Sequence, residues 1–155
     1  EEVGKALEPE INVTISTFLP ETYIPDIDQR LATYRRLARM HSLKEISDFK
    51  AEMEDRFGLL PPEASNLLIK IMLRVLCIQA GIRRLDLNEE QLSLHFSEEH
   101  QKNPMGILEM VGDGGRGFSF SPDNVLTADL KKTGTGGVMS QTKNILKEIR
   151  QRVNA

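Results

Sequence analysis

A single cysteine, Cys77, is all the thiol chemistry the chain has, which excludes a disulfide framework and a cysteine-rich zinc site. There is no excess of positive charge. Twenty lysines and arginines stand against 23 aspartates and glutamates, a net charge of −3, which is poor for an autonomous binder of nucleic acid, whose phosphate contacts need a basic surface. Two tyrosines and six phenylalanines offer no stacking platform for single-stranded nucleic acid. The longest apolar run, 67–78, is interrupted by Lys70 and Arg74 and is too short to span a bilayer, and no signal peptide is present. There is no G-x-S-x-G nucleophile elbow. The chain opens on Glu1-Glu2-Val3-Gly4 without an initiator methionine, which suits a piece of something longer. What remains is 155 residues, 39% of them hydrophobic, enough for the core of one domain and too apolar for disorder. The expectation is a cytoplasmic globular domain with no membrane partner.

Residues 1–10 are charged and contain Pro9, and read as a linker; the domain proper is expected over 11–155. Residues 11–15 alternate apolar and polar with β-branched side chains, which predicts a strand. Asp26 is placed to cap a helix, with Gln29 three residues on to reach back, and Ile27, Leu31, Tyr34 and Ala38 are expected to line its inner face, leaving Arg30, Arg35, Arg36 and Arg39 outside. A second helix begins at Ser42 with Glu45 at the capping-box position and stops at Gly58. Pro61-Pro62 shapes the start of a third, which runs to Ala80 with Gly81 as terminator. Its Leu67, Leu68, Ile71, Met72, Val75, Leu76 and Ile78 cover most of the circumference, the mark of a central core helix. From Ile82 the period falls to two: strands over 82–87 and 92–96 flank Asn88-Glu89-Glu90, and strands over 118–121 and 125–130 flank Pro122-Asp123-Asn124, with a short helix over 104–111 between the pairs. The stretch 134–137 leads into a last helix with Val138, Ile145 and Ile149 inward. The class is α+β in one compact domain.

Candidate chemistry is sparse. Gly112-Asp113-Gly114-Gly115-Arg116-Gly117 matches G-x-G-x-x-G, but a dinucleotide loop needs a strand before it and a helix after it, and the expected order here is the reverse. Thr133-Gly134-Thr135-Gly136-Gly137 does precede a helix but lacks the Gly-Lys-Ser/Thr ending of a phosphate loop. A small nucleotide- or anion-binding domain using one of these segments is the alternative reading. His95, Glu98, Glu99 and His100 fit no zinc spacing, and His95 points to the face opposite Leu94. Cys77 sits inside the core helix as a small apolar residue. No catalytic residue, cofactor or metal is assigned.

The second helix carries the feature with a direction. Glu45, Asp48, Glu52 and Asp55 are spaced 3, 4 and 3, within roughly an 80° arc at about 100° per residue. Ile46, Phe49, Met53 and Phe57 form an apolar stripe roughly 125° away. The acidic row therefore faces solvent. Spacing alone favours an ordinary solvated helix face; the functional reading is a docking stripe for an arginine-bearing partner, with Phe57, Leu59 and Leu60 supplying apolar contact.

In the same segment Glu52-Met53-Glu54-Asp55-Arg56-Phe57-Gly58-Leu59-Leu60-Pro61 resembles the E-x-x-D-R-F-G-x-L-P signature of the C-terminal (TRCF) domain of bacterial transcription-repair coupling factors. Leu19-Pro20-x-x-Tyr23-Ile24-Pro25-Asp26, followed by Arg30 and Tyr34-Arg35-Arg36, resembles the opening of that domain, and Gly81-Ile82 after a long helix fits it as well. The resemblance covers about residues 11–97; residues 98–140 depart from it. It implies a non-catalytic regulatory domain of an ATP-driven DNA translocase that displaces stalled RNA polymerase and recruits the excision-repair protein UvrA. It implies that the domain packs against the UvrB-like, UvrA-binding module of the same chain and masks it, with Glu52, Asp55 and Arg56 at the contact. Glu45 and Asp48 extend that contact by helix geometry alone. A further reading is that the helix bearing Arg30 to Arg39 touches DNA.

Overall fold

The structure, a computed structural model, describes residues 6–101, 103–112 and 114–154. The expected linker lies partly outside them. Strand β1 is Glu10–Val13; helices α1 (Ile27–Ala38), α2 (Leu43–Phe57) and α3 (Pro62–Ala80) follow. Then come the hairpin β2 (Ile82–Leu87) and β3 (Gln91–Phe96), α4 (Pro104–Gly112), the second hairpin β4 (Phe118–Phe120) and β5 (Val125–Asp129), a short helix α5 (Leu130–Thr133) and the terminal α6 (Val138–Val153). The α+β architecture holds; α5 is an element the sequence pattern did not signal, four residues capped by Asp129, whose Oδ1 accepts from the Lys131 N–H.

The five strands form one sheet in the order β1-β2-β3-β5-β4. β1 runs parallel to β2, and all other neighbours are antiparallel. Alternation gives the sheet two faces. Leu85, Leu87, Leu92, Leu94, Leu126 and Ala128 are fully buried on one, where α3, α4 and α6 cover them through Leu76, Ile107, Leu146 and Ile149. Asn12, Arg84, Asp86, Ser93, His95 and Thr127 stand half-buried on the other. Asp86 gathers them: its carboxylate accepts from Asn12 Nδ2 (2.8 Å) and Arg84 Nε (2.9 Å), and His95 Nε2 lies 3.4 Å away. His95 is thus on the outer face, as its spacing predicts, while His100 bonds to Ser97 Oγ and Glu98 accepts from Asn124. Among the described residues no group of His, Cys, Asp and Glu is placed to hold a metal ion, and no helix is long and apolar enough to cross a membrane.

Helix α3 belongs to two cores at once. Leu73, Leu76, Cys77 and Ala80 face the sheet and α6, while Ala64, Leu67, Leu68 and Val75 face a second cluster built with Leu19, Tyr23, Ile24, Leu37, Met40, Ile46, Phe49 and Met53. Cys77 is fully buried and its thiol pKa is pushed up by that burial, so it packs as an inert apolar side chain. The helix ends at Gly81 with φ 73, and a β-carbon there would meet the His100 carbonyl oxygen at 2.7 Å, so the position excludes every other residue twice over.

Helix α1 departs from its expected packing. Ile27, Leu31 and Tyr34 are 59%, 46% and 36% exposed, and Ala38 is exposed too; Leu37 is the one buried side chain of the helix. The apolar row that looks like a core face points outward because the helix is seated elsewhere. Ile24 and Met40 at its two ends enter the second core, and Arg36 holds its flank to α2. Asp26 does cap it, accepting from the Asp28 N–H; the reciprocal bond expected from Gln29 is absent among the described residues.

The first glycine-rich segment is tied to a carboxylate of the last helix. Arg116, between α4 and β4, makes a two-pronged pair with Glu148 of α6 at 2.8 and 2.9 Å, and Arg152 adds a third contact at 3.0 Å. Hydrogen bonding from Arg116 holds the Glu148 carboxyl below the usual carboxylate range. That stabilisation is present above the ordinary range and is lost as pH falls through the depressed value. Glu148→Gln is expected to cost about 1–2 kcal/mol at neutral pH. It should also flatten the loss of stability below about pH 4. Urea unfolding at neutral and acidic pH checks both; an unchanged acid response would show that this pair contributes nothing to it.

Candidate functional site

Helix α2 orients the candidate residues. Ser42 is its N-cap: Ser42 Oγ accepts from the Glu45 N–H at 3.1 Å, and Glu45 Oε1 accepts in return from the His41 N–H (3.1 Å) and the Ser42 hydroxyl (3.2 Å). The box closes one residue further back than its usual form, on His41. Ile46, Phe49 and Met53 are fully buried, which turns Glu45, Asp48, Glu52 and Asp55 outward in one row, as the spacing requires.

The four carboxylates are not equivalent. Glu45 is engaged in the cap, and the His41 backbone donor lowers its pKa. Asp48 pairs with Lys44 at 2.8 Å in a fully solvated i,i+4 contact, of little energetic weight. Glu52 is gripped by Arg36 of α1 through both oxygens, at 2.7 and 2.8 Å, with Arg56 at 3.9 Å; the Arg36 hydrogen bonds depress its pKa. The Arg36 guanidinium also lies over the Phe49 ring, 4.7 Å from its centroid. Asp55 is exposed and has no hydrogen-bond or ion-pair partner among the described residues.

The end of the helix is built by a second set of contacts. Gly58 takes φ 91 and ψ −176, a region essentially restricted to glycine, and its N–H closes α2 on the Glu54 carbonyl. The Tyr23 hydroxyl lies 2.7 Å from the Gly58 carbonyl and 3.3 Å from that of Met53, and the Tyr23 and Phe57 rings pack at 5.7 Å. Arg56 covers the outer side of Phe57 at 4.9 Å. So the two segments quoted for the family resemblance, around Tyr23 and around Phe57, meet in space. The fixed backbone then throws Leu59 out to 85% exposure, the most exposed of the large apolar side chains, while Leu60 tucks against the second core. Asp55, Arg56, the rim of Phe57 and Leu59 form a short patch of open carboxylate, cation and apolar surface.

Sequence spacing locates this row and its direction but does not reveal the Arg36–Glu52 pair, since residues 16 apart on different helices leave no periodic trace. The basic helix is also less free than its sequence suggests. Arg30 Nη1 donates to the Ile24 and Pro25 carbonyls and Arg36 is paired, which leaves Arg35 and Arg39 as its cations without an acidic partner among the described residues. Of the glycine-rich segments, residues 112–117 follow α4 and precede β4, the reverse of a dinucleotide loop, with Asp113 outside the described residues. The cleft of about 240 Å³ beside residues 133–135 is lined by Arg116, already paired, and by the Glu148 carboxylate, which repels an anion.

These features define an α+β domain with a row of carboxylates along α2 and an exposed leucine at the end of that helix. The TRCF domain model matches residues 13–107. A transcription-repair-coupling factor of Rickettsia prowazekii is 31% identical over 147 residues, 95% of this chain and 12% of that protein. That of Escherichia coli is 35% identical over 104 residues, 67% of this chain and 9% of that protein. Among solved structures, the crystal structure of the C-terminal domain of transcription-repair coupling factor superposes with a TM-score of 0.78 over 96% of this chain and 95% of that one, at 14% identity. The chain belongs to the TRCF domain family, and spans about a tenth of the length of the curated relatives it matches.

Tyr23→Phe is expected to destabilise the domain by about 1 kcal/mol and to raise amide exchange selectively at residues 57–60. Thermal unfolding and hydrogen-exchange mass spectrometry check this; uniform exchange across α2 would show that Tyr23 does not fix the helix end.

Proposed function

We propose that this domain is a regulatory docking module of a transcription-repair coupling factor and has no catalytic step of its own. In this reading the parent is an ATP-driven DNA translocase that displaces stalled RNA polymerase and recruits UvrA for nucleotide excision repair. The domain packs through the C-terminal half of α2 on the UvrB-like, UvrA-binding module of the same chain and masks it until the motor rearranges. The observation that carries the reading is the pairing of an open carboxylate, Asp55, with an 85% exposed leucine, Leu59, at the end of α2.

In this reading the four carboxylates have different roles. Both Glu52 oxygens are occupied by Arg36, so Glu52 sets the position of α1 and the field at the face, whereas Asp55 is the acceptor left for a partner guanidinium. Glu45 and Asp48, tied to the cap and to Lys44, lie at its margin. Solvated ion pairs contribute about 0–1 kcal/mol each, and a contact of a few such pairs and one leucine suits an interface that must open.

In the full-length parent, Asp55→Ala and Leu59→Ser are each expected to raise UvrA affinity, and basal ATP turnover with it, by at least about fivefold, the low end of ordinary allosteric coupling. Surface plasmon resonance and a coupled ATPase assay read the two effects. Unchanged values for both would overturn masking by this face.

A further inference from the structure

A second surface is unexplained by the α2 contact. Phe18, Ile27, Leu31 and Tyr34 are four of the seven large apolar side chains left exposed among the described residues. Ile27, Leu31 and Tyr34 recur at i, i+4 and i+7, one row along α1. The Leu19 N–H donates to the Tyr34 hydroxyl at 2.8 Å, which brings the Phe18-Leu19 backbone to the end of that row. Clustered exposed apolar side chains rimmed by charge are the usual composition of an interaction site.

The charges beside the row say what kind of partner. Arg35 and Arg39 are exposed, lie on one flank of it by helical-wheel position, roughly 70–110° from its centre, and have no acidic partner among the described residues. Asp28 is the single acid on the exposed faces of α1. Beyond the arginines a cleft of about 630 Å³ separates α1 from α2; its far wall carries Glu45 and Asp48, which are held by the cap and by Lys44. Duplex DNA would engage the arginines but leave the apolar row in water. A second copy of the chain would bring the same two open arginines, with Asp28 the one acid of the helix to match them.

We propose that the outward face of α1 is a docking surface for an acidic amphipathic helix of a separate protein, its apolar side laid on Ile27, Leu31, Tyr34 and Phe18 and its carboxylates paired with Arg35 and Arg39. The row lies about 170° around α1 from Arg36, the residue that faces α2. A body docked on α2 therefore leaves it open, so the two surfaces can be used at once. Assigning the helix to a separate protein rests on the docking reading above; the binding of such a helix does not.

The test uses the 155-residue chain and two fluorescein-labelled synthetic helices of about 18 residues, five turns, with leucines on one side and either glutamates or lysines on the other. Fluorescence anisotropy is expected to show binding of the glutamate helix, weakened at least about tenfold by Leu31→Ser and similarly by the Arg35→Glu/Arg39→Glu double variant, which lies wholly on the surface and keeps the test valid if Leu31→Ser fails to fold. Met105→Ser, an exposed change on α4, should leave binding unaltered. Equal binding of the lysine helix, no binding of the glutamate helix, or indifference to both sets of variants would overturn the proposal. So would light scattering that finds a dimer abolished by Leu31→Ser, which assigns the face to a second copy, or duplex DNA binding lost in the double variant, which assigns it to nucleic acid.

Discussion

A helix that is apolar around most of its circumference cannot be satisfied by one neighbouring layer, and α3 sets the plan of the whole domain for that reason. One side of it, through Leu73, Leu76, Cys77 and Ala80, needs the sheet and α6; the other, through Ala64, Leu67, Leu68 and Val75, needs α1, α2 and the segment containing Tyr23 and Ile24. The sheet can then be covered on one face only, and its outer face stays polar around Asp86. The helical outwork, in turn, is held by one side of α3 and is free to present two of its own faces to water. The acidic row of α2, Leu59 and the apolar row of α1 all lie on this outwork.

Its outer attachments are short and few. Leu37 is the only buried side chain of α1, so the helix depends on polar contacts to fix its azimuth: the Arg36–Glu52 fork, the stacking of Arg36 on Phe49, and the Leu19 N–H bond to the Tyr34 hydroxyl. The fork is half-exposed, and energy of this size, about 0.5–1 kcal/mol for an exposed pair, positions a helix without locking it. At the other end of α2 the constraint is covalent geometry as much as contact: Gly58 adopts a backbone shape that a β-carbon forbids, and Tyr23 holds its carbonyl. A rigid turn next to a lightly held helix fixes Asp55 and Leu59 in orientation while leaving Glu52 subject to movement of α1.

Local signals were the legible ones. Ser42 with Glu45, Gly58, Pro61-Pro62 and Gly81 each act within a turn of the chain, and each marks its boundary in the structure. The alternation in 82–87 and 92–96 likewise states which side chains are buried. What α1 does was not legible. Ile27, Leu31 and Tyr34 have the spacing of a core row, and periodicity reports that a face is apolar without saying whether the domain itself covers it. Strand order and the Arg36–Glu52 pair depend on contacts between distant segments, for which a single sequence carries no period. The outward direction of the acidic row was readable because it follows from the buried stripe of the same helix; which of its acids is open was not, because that is decided by α1, Lys44 and the cap.

The glycine-rich segments show how a literal motif can arise from packing. Residues 114–117 lead into an edge strand while Arg116 reaches Glu148 and lies over Phe118. Gly117, at φ 82, runs so close to α5 that a β-carbon would sit 2.8 Å from that of Lys132. Residues 133–137 turn the chain from α5 into α6, where Gln141 bonds to Thr133 and to the Gly136 carbonyl. A phosphate in either place would have to compete with a carboxylate for the one arginine nearby. The same two elements of phosphate recognition, glycine backbone and arginine, are present, but Glu148 already satisfies the arginine, and the glycines are explained by the turns they make.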